Sequence, residues 1–236
     1  MNVRVFDDPG AVAQAAADLV HAAAARRPDL ALGLPTGHTP IGLYDELAAR
    51  HARGTVDLSQ ARGFNLDELV LPASDPRTFR QYMMVHTWDR TGLDRKRCDL
   101  PDGEAADLGA ECRRYERAVA DAGGLDLAIL GLGIDGHVAY NLPGPFVRPT
   151  HVVTLPDATA DSLGLGARER PLRAITMGLG TIRAARAILV LATGPSKSRA
   201  VQALVQGPVS EDWPCSFLRD HSNIELLLDR PAAAGL

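Results

Sequence analysis

An α/β three-layer sandwich with a mostly parallel sheet is the fold class this sequence predicts, and three observations carry the prediction. Short, continuous apolar runs recur along the chain. Segments of 10–18 residues with apolar side chains every third or fourth position separate them. A 236-residue chain that is 46% apolar and 23% charged buries about three-quarters of its unfolded surface, or a little less, in one core. Runs that are apolar at every position are strands covered on both faces. Helices between them supply the crossovers that parallel neighbours require. The expected architecture is therefore Rossmann-like, with ligands binding beyond the carboxyl ends of the strands.

The elements follow in order. Residues 9–26 carry Ala, Val and Leu at helical spacing behind Pro9, and the first apolar run, Asp29 to Leu34, is a buried strand. A helix over 41–53 precedes a strand at Ala61 to Asn65, and helices follow at 77–88 and 107–122, where Arg, Glu and Asp fill the positions between apolar ones. Asp126 to Leu132 is the next strand, then Ala174 to Met177 and Ala187 to Ala192. A helix over 196–206 and a last strand, Ile224 to Leu228, complete the pattern. With no Pro/Ser-rich linker, charge block or internal repeat to divide it, residues 1–236 read as a single domain.

Composition excludes several classes of function. The formal charge of −4 arises from 25 basic and 29 acidic side chains spread along the chain, which leaves no electrostatic footprint for nucleic acid. No apolar run approaches the ~20 residues needed to cross a bilayer, and Met1 to Asp8 lacks the regions of a signal peptide, so a cytoplasmic protein with no membrane partner is expected. Cys98, Cys112 and Cys215 are an odd number without a C-x-x-C pair, the pattern of reduced structural thiols.

Three loops that follow strands carry the candidate chemistry. In the first, Pro35-Thr-Gly-His-Thr-Pro40 leads into a helix, with Thr39 expected as the N-cap and Pro40 in the first turn. Free N–H groups and the positive helix end there form an anion site, to which Thr36 and Thr39 add hydroxyls and Gly37 a permissive turn. The second loop, Leu66-Asp-Glu-Leu-Val70, presents two adjacent carboxylates pointing different ways. Asp67 or Glu68 is a candidate general base once partly desolvated, and a turn-capping acid is the alternative. The third, Leu130-Gly-Leu-Gly-Ile-Asp-Gly-His137, lets the Asp135 carboxylate orient the His137 imidazole for proton transfer near neutral pH. A metal site is disfavoured because no second His or Cys lies at ligand spacing, although Asp67 or His38 offers a route to convergence. Lys197, in Gly194-Pro-Ser-Lys197 after the strand at 187–192, adds a positive charge at the same sheet edge.

Leu32-Gly-Leu-Pro-Thr-Gly-His-Thr-Pro40, Phe64-Asn-Leu-Asp-Glu-Leu-Val70 and Gly131-Leu-Gly-Ile-Asp-Gly-His-Val-Ala-Tyr-Asn141 resemble, in order and spacing, the signature loops of the glucosamine-6-phosphate deaminase and 6-phosphogluconolactonase superfamily. Weaker similarity continues through Thr150-His-Val-Val153, Thr176 to Thr181, Thr193 to Lys197 and Trp213 to Leu218. On the deaminase side the resemblance implies opening of a cyclic amino-sugar phosphate, proton movement between C2 and C1, and loss of ammonia to give fructose 6-phosphate, with no organic cofactor. Asp67 then matches the C2/C1 proton shuttle, and His137 with Asp135 the ring-opening acid/base. Thr36, Gly37, His38, Thr39 and Lys197 match the phosphate-binding elements.

The chain also departs from that branch. Leu142 stands where the deaminases usually carry a Glu that completes the ring-opening group, and Leu142-Pro-Gly144 resembles the lactonases. Lactonases generally read Asp-Glu-Arg where this chain has Asp67-Glu-Leu69. The deaminases' phosphate-clamping Arg has no match in Thr159 to Gly166, so that clamp is absent or supplied by Arg168 or Arg170. His38 occupies a position usually held by Gly or Ser. Pro145 to Pro149 does not resemble the effector site of hexameric members, and the end at Leu236 fits a monomer or small homo-oligomer. The readings carried forward are an amino-sugar-phosphate isomerase/deaminase, a 6-phosphogluconolactonase-type hydrolase, and a catalytically weakened sugar-phosphate-binding homologue.

Overall fold

In the structure, a computed structural model, residues 1–236 are described, with the side chain of Arg168 excepted. Ten strands and seven α-helices alternate: β1 (Asn2–Phe6), α1 (Pro9–Arg26), β2 (Ala31–Leu34), α2 (Thr39–Ala52), β3 (Arg62–Asn65), β4 (Asp67–Leu69), α3 (Phe79–His86), β5 (Cys98–Asp99), α4 (Leu108–Asp121), β6 (Leu127–Gly131), β7 (His151–Thr154), α5 (Asp157–Ser162), β8 (Arg173–Thr176), α6 (Leu179–Arg183), β9 (Ile188–Ala192), α7 (Ser198–Val205) and β10 (Ile224–Asp229).

Seven strands form a parallel sheet in the order β1-β10-β9-β6-β2-β3-β5. Its central strands are apolar throughout because successive side chains enter opposite layers. Leu32, Leu34, Ile129, Leu189 and Leu191 join the core under α1 and α2. Ala31, Ala128, Leu130, Val190 and Leu228 join the one under α4, α6 and α7. Helix α1 starts where the Asp8 carboxylate accepts from the Ala11 N–H at 2.9 Å and Pro9 takes the first turn. It ends just before Pro28, which disfavours helical backbone in the residue ahead of it. Its Ala-rich stripe lets it lie close to the sheet.

Three details differ from the sequence reading. The run at 174–177 belongs to β8, in a separate three-stranded sheet ordered β4-β8-β7 with antiparallel pairing. Residues 67–69, read as loop, form its first strand. This small sheet covers a third apolar cluster that includes Leu69, Leu155, Leu172 and Ala174. Strands β1 and β5 at the two edges of the large sheet and the short helices α5 and α6 were not anticipated either. No helix is long and apolar enough to cross a membrane among the described residues.

Candidate active site

Strands β2 and β6 lie side by side in the large sheet, yet the chain leaves them in opposite directions: β2 leads to β3 and β5, and β6 to β9 and β10. At such a switch point the loops after the two strands part, and a crevice opens at their carboxyl ends. A cavity of about 300 Å³ occupies it. Of the residues singled out from sequence, Thr36, Gly37, His38, Thr39, Asp67, His137 and Lys197 all line this cavity. Asp135 stands behind His137, whose ring it holds.

One end of the cavity is suited to an anion. Helix α2 begins one residue earlier than expected: Gly37, at φ +103°, turns the chain so that His38 takes the cap position and Thr39 is the first helical residue, not the cap. No side chain caps this terminus; Pro40 has no N–H and that of Ile41 donates to the His38 carbonyl at 3.3 Å, so the Thr39 N–H and the positive helix end remain available to a ligand. Two phenols, the buried Tyr44 and the half-buried Tyr82, fix the loop from behind. Tyr44 donates to the Pro35 carbonyl at 2.7 Å and Tyr82 to that of Gly37 at 2.6 Å. Opposite, Lys197 closes a short turn, Pro195–Lys197, ahead of α7. Buried Asp229 at the end of β10 anchors that turn by accepting from the Gly194 N–H at 2.9–3.0 Å. Burial pushes the Lys197 ammonium below its ordinary value against the opposing pull of Asp135, so a phosphate arriving there restores a counter-charge.

The second loop supplies a buried carboxylate. Strand β3 leaves the large sheet after Asn65 and becomes β4 of the small one. The single intervening residue, Leu66, donates to the Leu34 carbonyl at 3.1 Å and accepts from the Met177 N–H at 2.7 Å. Asp67, 5% exposed, comes next. Burial raises its carboxyl to about 8, helped by the charge of Glu68 and opposed by the Thr36 hydroxyl. Its Oδ1 has no partner among the described residues. Glu68 points the other way and accepts from the N–H groups of Leu69, Phe79 and Arg80 at 2.7–2.8 Å. Of the two carboxylates, Glu68 is spent on the start of α3, whereas Asp67 faces the cavity.

In the third loop the His137 Nδ1 lies 2.6 Å from Asp135 Oδ1. Burial opposes ionisation of Asp135, but the hydrogen bonds and charge of His137 outweigh it and hold the carboxyl at about 2. An ionised Asp135 only accepts, so Nδ1 carries the proton and Nε2 is left to exchange one with a ligand. Two glycines make this possible. A Cβ on Gly133 would lie 2.3 Å from the imidazole Nδ1, and one on Gly136, at φ +81°, 2.8 Å from the Trp213 ring. Asn141 locks the end of the loop, its amide donating to the Val138 and Met177 carbonyls.

Leu142 is half-buried and is not on the cavity wall. Arg170 pairs with Asp157 and Asp161 and also lies off the wall, whereas the Arg168 side chain is outside the described residues. His38, Asp67 and His137 share the cavity, but no three His, Cys, Asp or Glu side chains among the described residues are arranged to hold a metal ion. Sequence reasoning missed Asp229, which sits one residue past the apolar run of its strand. It also passed over Tyr140, which lies inside the third loop and lines the cavity.

A sequence model of the family described as glucosamine-6-phosphate isomerases/6-phosphogluconolactonase matches residues 8–227. The chain is 42% identical to a glucosamine-6-phosphate deaminase of Mycolicibacterium smegmatis, over 100% of this chain and 93% of that one. It is 38% identical to one of Bacillus velezensis, over 100% of both. Among solved structures it resembles a monomeric glucosamine-6-phosphate deaminase, with a TM-score of 0.92 and 37% identity over 100% of both chains. The 6-phosphogluconolactonase of Trypanosoma brucei shares the fold, with a TM-score of 0.78 and 22% identity over 100% of this chain and 98% of that one.

Proposed function

The chain belongs to the glucosamine-6-phosphate isomerase and 6-phosphogluconolactonase family, and from that premise we propose that it is an isomerising deaminase of amino-sugar 6-phosphates, converting glucosamine 6-phosphate to fructose 6-phosphate and ammonia. One observation carries the reading: a buried carboxylate with an uncommitted oxygen, Asp67, shares one cavity with an Asp-oriented imidazole, an uncapped helix N-terminus and a lysine.

The phosphate sits at the start of α2, held by the Thr39 N–H, the Thr36 and Thr39 hydroxyls, His38 and Lys197. The sugar ring then reaches toward Asp67 and His137. His137 takes the C1 hydroxyl proton through Nε2 and delivers a proton to the ring oxygen, which opens the pyranose to the aldehyde. Asp67 removes the proton from C2 and returns it to C1. The C2–N bond is left as an iminium, and attack by water yields the ketone and ammonia. These are proton transfers and a hydrolysis, for which side chains suffice without an organic cofactor.

The work is done by one sugar-phosphate isomerase-like domain, residues 1–236, acting in the cytoplasm as a monomer or small homo-oligomer. Hydrolysis of 6-phosphogluconolactone is the second reading, favoured by Leu142, which leaves His137 with Asp135 alone. Against it stands Leu69, fully buried under the small sheet where a substrate-binding cation would be needed. The test is ammonia release coupled to fructose 6-phosphate detection, with glucosamine 6-phosphate and galactosamine 6-phosphate, beside lactone hydrolysis. Ammonia at an enzymatic rate supports the deaminase. Lactone hydrolysis without ammonia replaces it by the lactonase, and silence with every substrate leaves a binding role.

A further inference from the structure

The chain has four tyrosines, and three spend their hydroxyls on backbone carbonyls: Tyr44 on Pro35, Tyr82 on Gly37 and Tyr115 on Asn65. The fourth, Tyr140, makes no such bond among the described residues, although its position is fixed closely. Its N–H donates to Thr176 Oγ1 at 3.0 Å, and Thr176 is the residue of β8 paired directly with Asp67. Its ring stacks on Phe79, with centroids 5.9 Å apart and planes 22° from parallel. It lines the same cavity as Asp67 and His137. Burial raises its phenol, and the charges of Asp67 and then Glu68 add to the rise, so the group stays a hydrogen-bond donor across the working pH range.

The reaction assigned above has a use for such a donor. When Asp67 takes the C2 proton, the electrons of the C2–H bond form a C1=C2 double bond and those of the carbonyl move onto O1, which becomes an oxyanion. The positive elements already placed, the start of α2 and Lys197, are given to the phosphate. We infer that Tyr140 is a further catalytic residue, whose hydroxyl donates a hydrogen bond to O1 as the charge develops there. The phenol keeps its own proton; the proton from C2 resides on Asp67 until it is returned to C1, and O1 takes its proton from the substrate's own ammonium group, which leaves a C1 hydroxyl beside the C2 iminium. A preorganised donor aimed at developing charge acts on the transition state more than on the bound substrate.

This inference rests on the deaminase reading, and Tyr140→Phe tests it because it keeps the stacked ring and deletes only the oxygen. The expected result is a fall in kcat of about 100–1,000-fold with KM within about threefold of wild type. The melting temperature should stay unchanged. The isotope effect with C2-deuterated glucosamine 6-phosphate should grow, because proton abstraction becomes more rate-limiting; a merely structural role for the hydroxyl would leave it where it was. Unchanged kcat, or a rise in KM alone, overturns the assignment while leaving the deaminase intact. Absence of ammonia from the wild-type enzyme overturns both.

Discussion

Replacing Asp67 by Asn should change how stability depends on pH, and the size of the change follows from the burial of the carboxyl. In the folded protein Asp67 holds its proton up to about pH 8, whereas an ordinary aspartate gives it up near 3.8. The folded pKa is the raised one, so the contribution to stability is complete below about pH 4 and is lost as pH rises through about 8. Each pH unit inside that window costs about 1.4 kcal/mol. Between pH 5 and 8 the wild type therefore loses roughly 4 kcal/mol that the Asn variant keeps. At about 2–4 °C per kcal/mol for a chain of this size, the wild-type Tm should fall by roughly 10 °C more than that of the variant. The amide brings its own pH-independent cost, about 1–3 kcal/mol if its Nδ2 finds no acceptor, so the slope is the diagnostic and the offset is not. Thermal melts of both proteins at pH 5, 6, 7 and 8, at constant ionic strength, give the two slopes. Parallel curves would refute the claim that Asp67 is buried and protonated in the free enzyme, and with it the physical basis for its use as a base.

Other outcomes follow from the same site. Because the base must be ionised to act, kcat/KM for the wild type should rise with pH and level off above about 8; a flat profile from pH 6 to 9 would remove Asp67 from that role. Asp135→Asn leaves space filled but offers the imidazole no obligate acceptor, so kcat should fall ~100-fold or more with KM little changed, as measured by steady-state ammonia release. Lys197→Ala should raise KM for the phosphorylated sugar about 10–100-fold while kcat stays within a few-fold. An equal loss with the unphosphorylated sugar would show that Lys197 does not serve the phosphate.

The central strands were legible because burial on both faces writes an unbroken apolar run, and that signature does not depend on neighbours. The same signature misled at 174–177, where burial under helices and burial under an antiparallel sheet look alike. Strand β1 escaped notice because it is an edge, largely exposed, and its Arg4 interrupts the apolar pattern. Two adjacent carboxylates do not look like a strand, so β4 read as a loop until its pairing with β8 was seen. The glycines, the Asp-Gly-His and the Lys197 turn were visible as residue types demanded by close backbone approach and proton transfer. What sequence left open between Asp67 and Glu68 depended on the start of α3, eleven residues away in the chain, whose N–H groups claim Glu68. Tyr140 stood in plain view, but only the commitment of the other three phenols makes its free hydroxyl informative.

Leu66, bonded on one side to the large sheet and on the other to the chain leaving the small one, makes the Asp67 carboxylate a gauge of how the two sheets are seated. Only Leu66 separates Asp67 from the large sheet and nothing separates it from the small one, so a shift of one sheet against the other would move the carboxylate with it. The cluster beneath the small sheet, Leu155, Leu172 and Ala174 among it, thereby acts as the bearing on which the reacting geometry is trued. Wear in that bearing would show first in turnover, well before the molecule as a whole came loose.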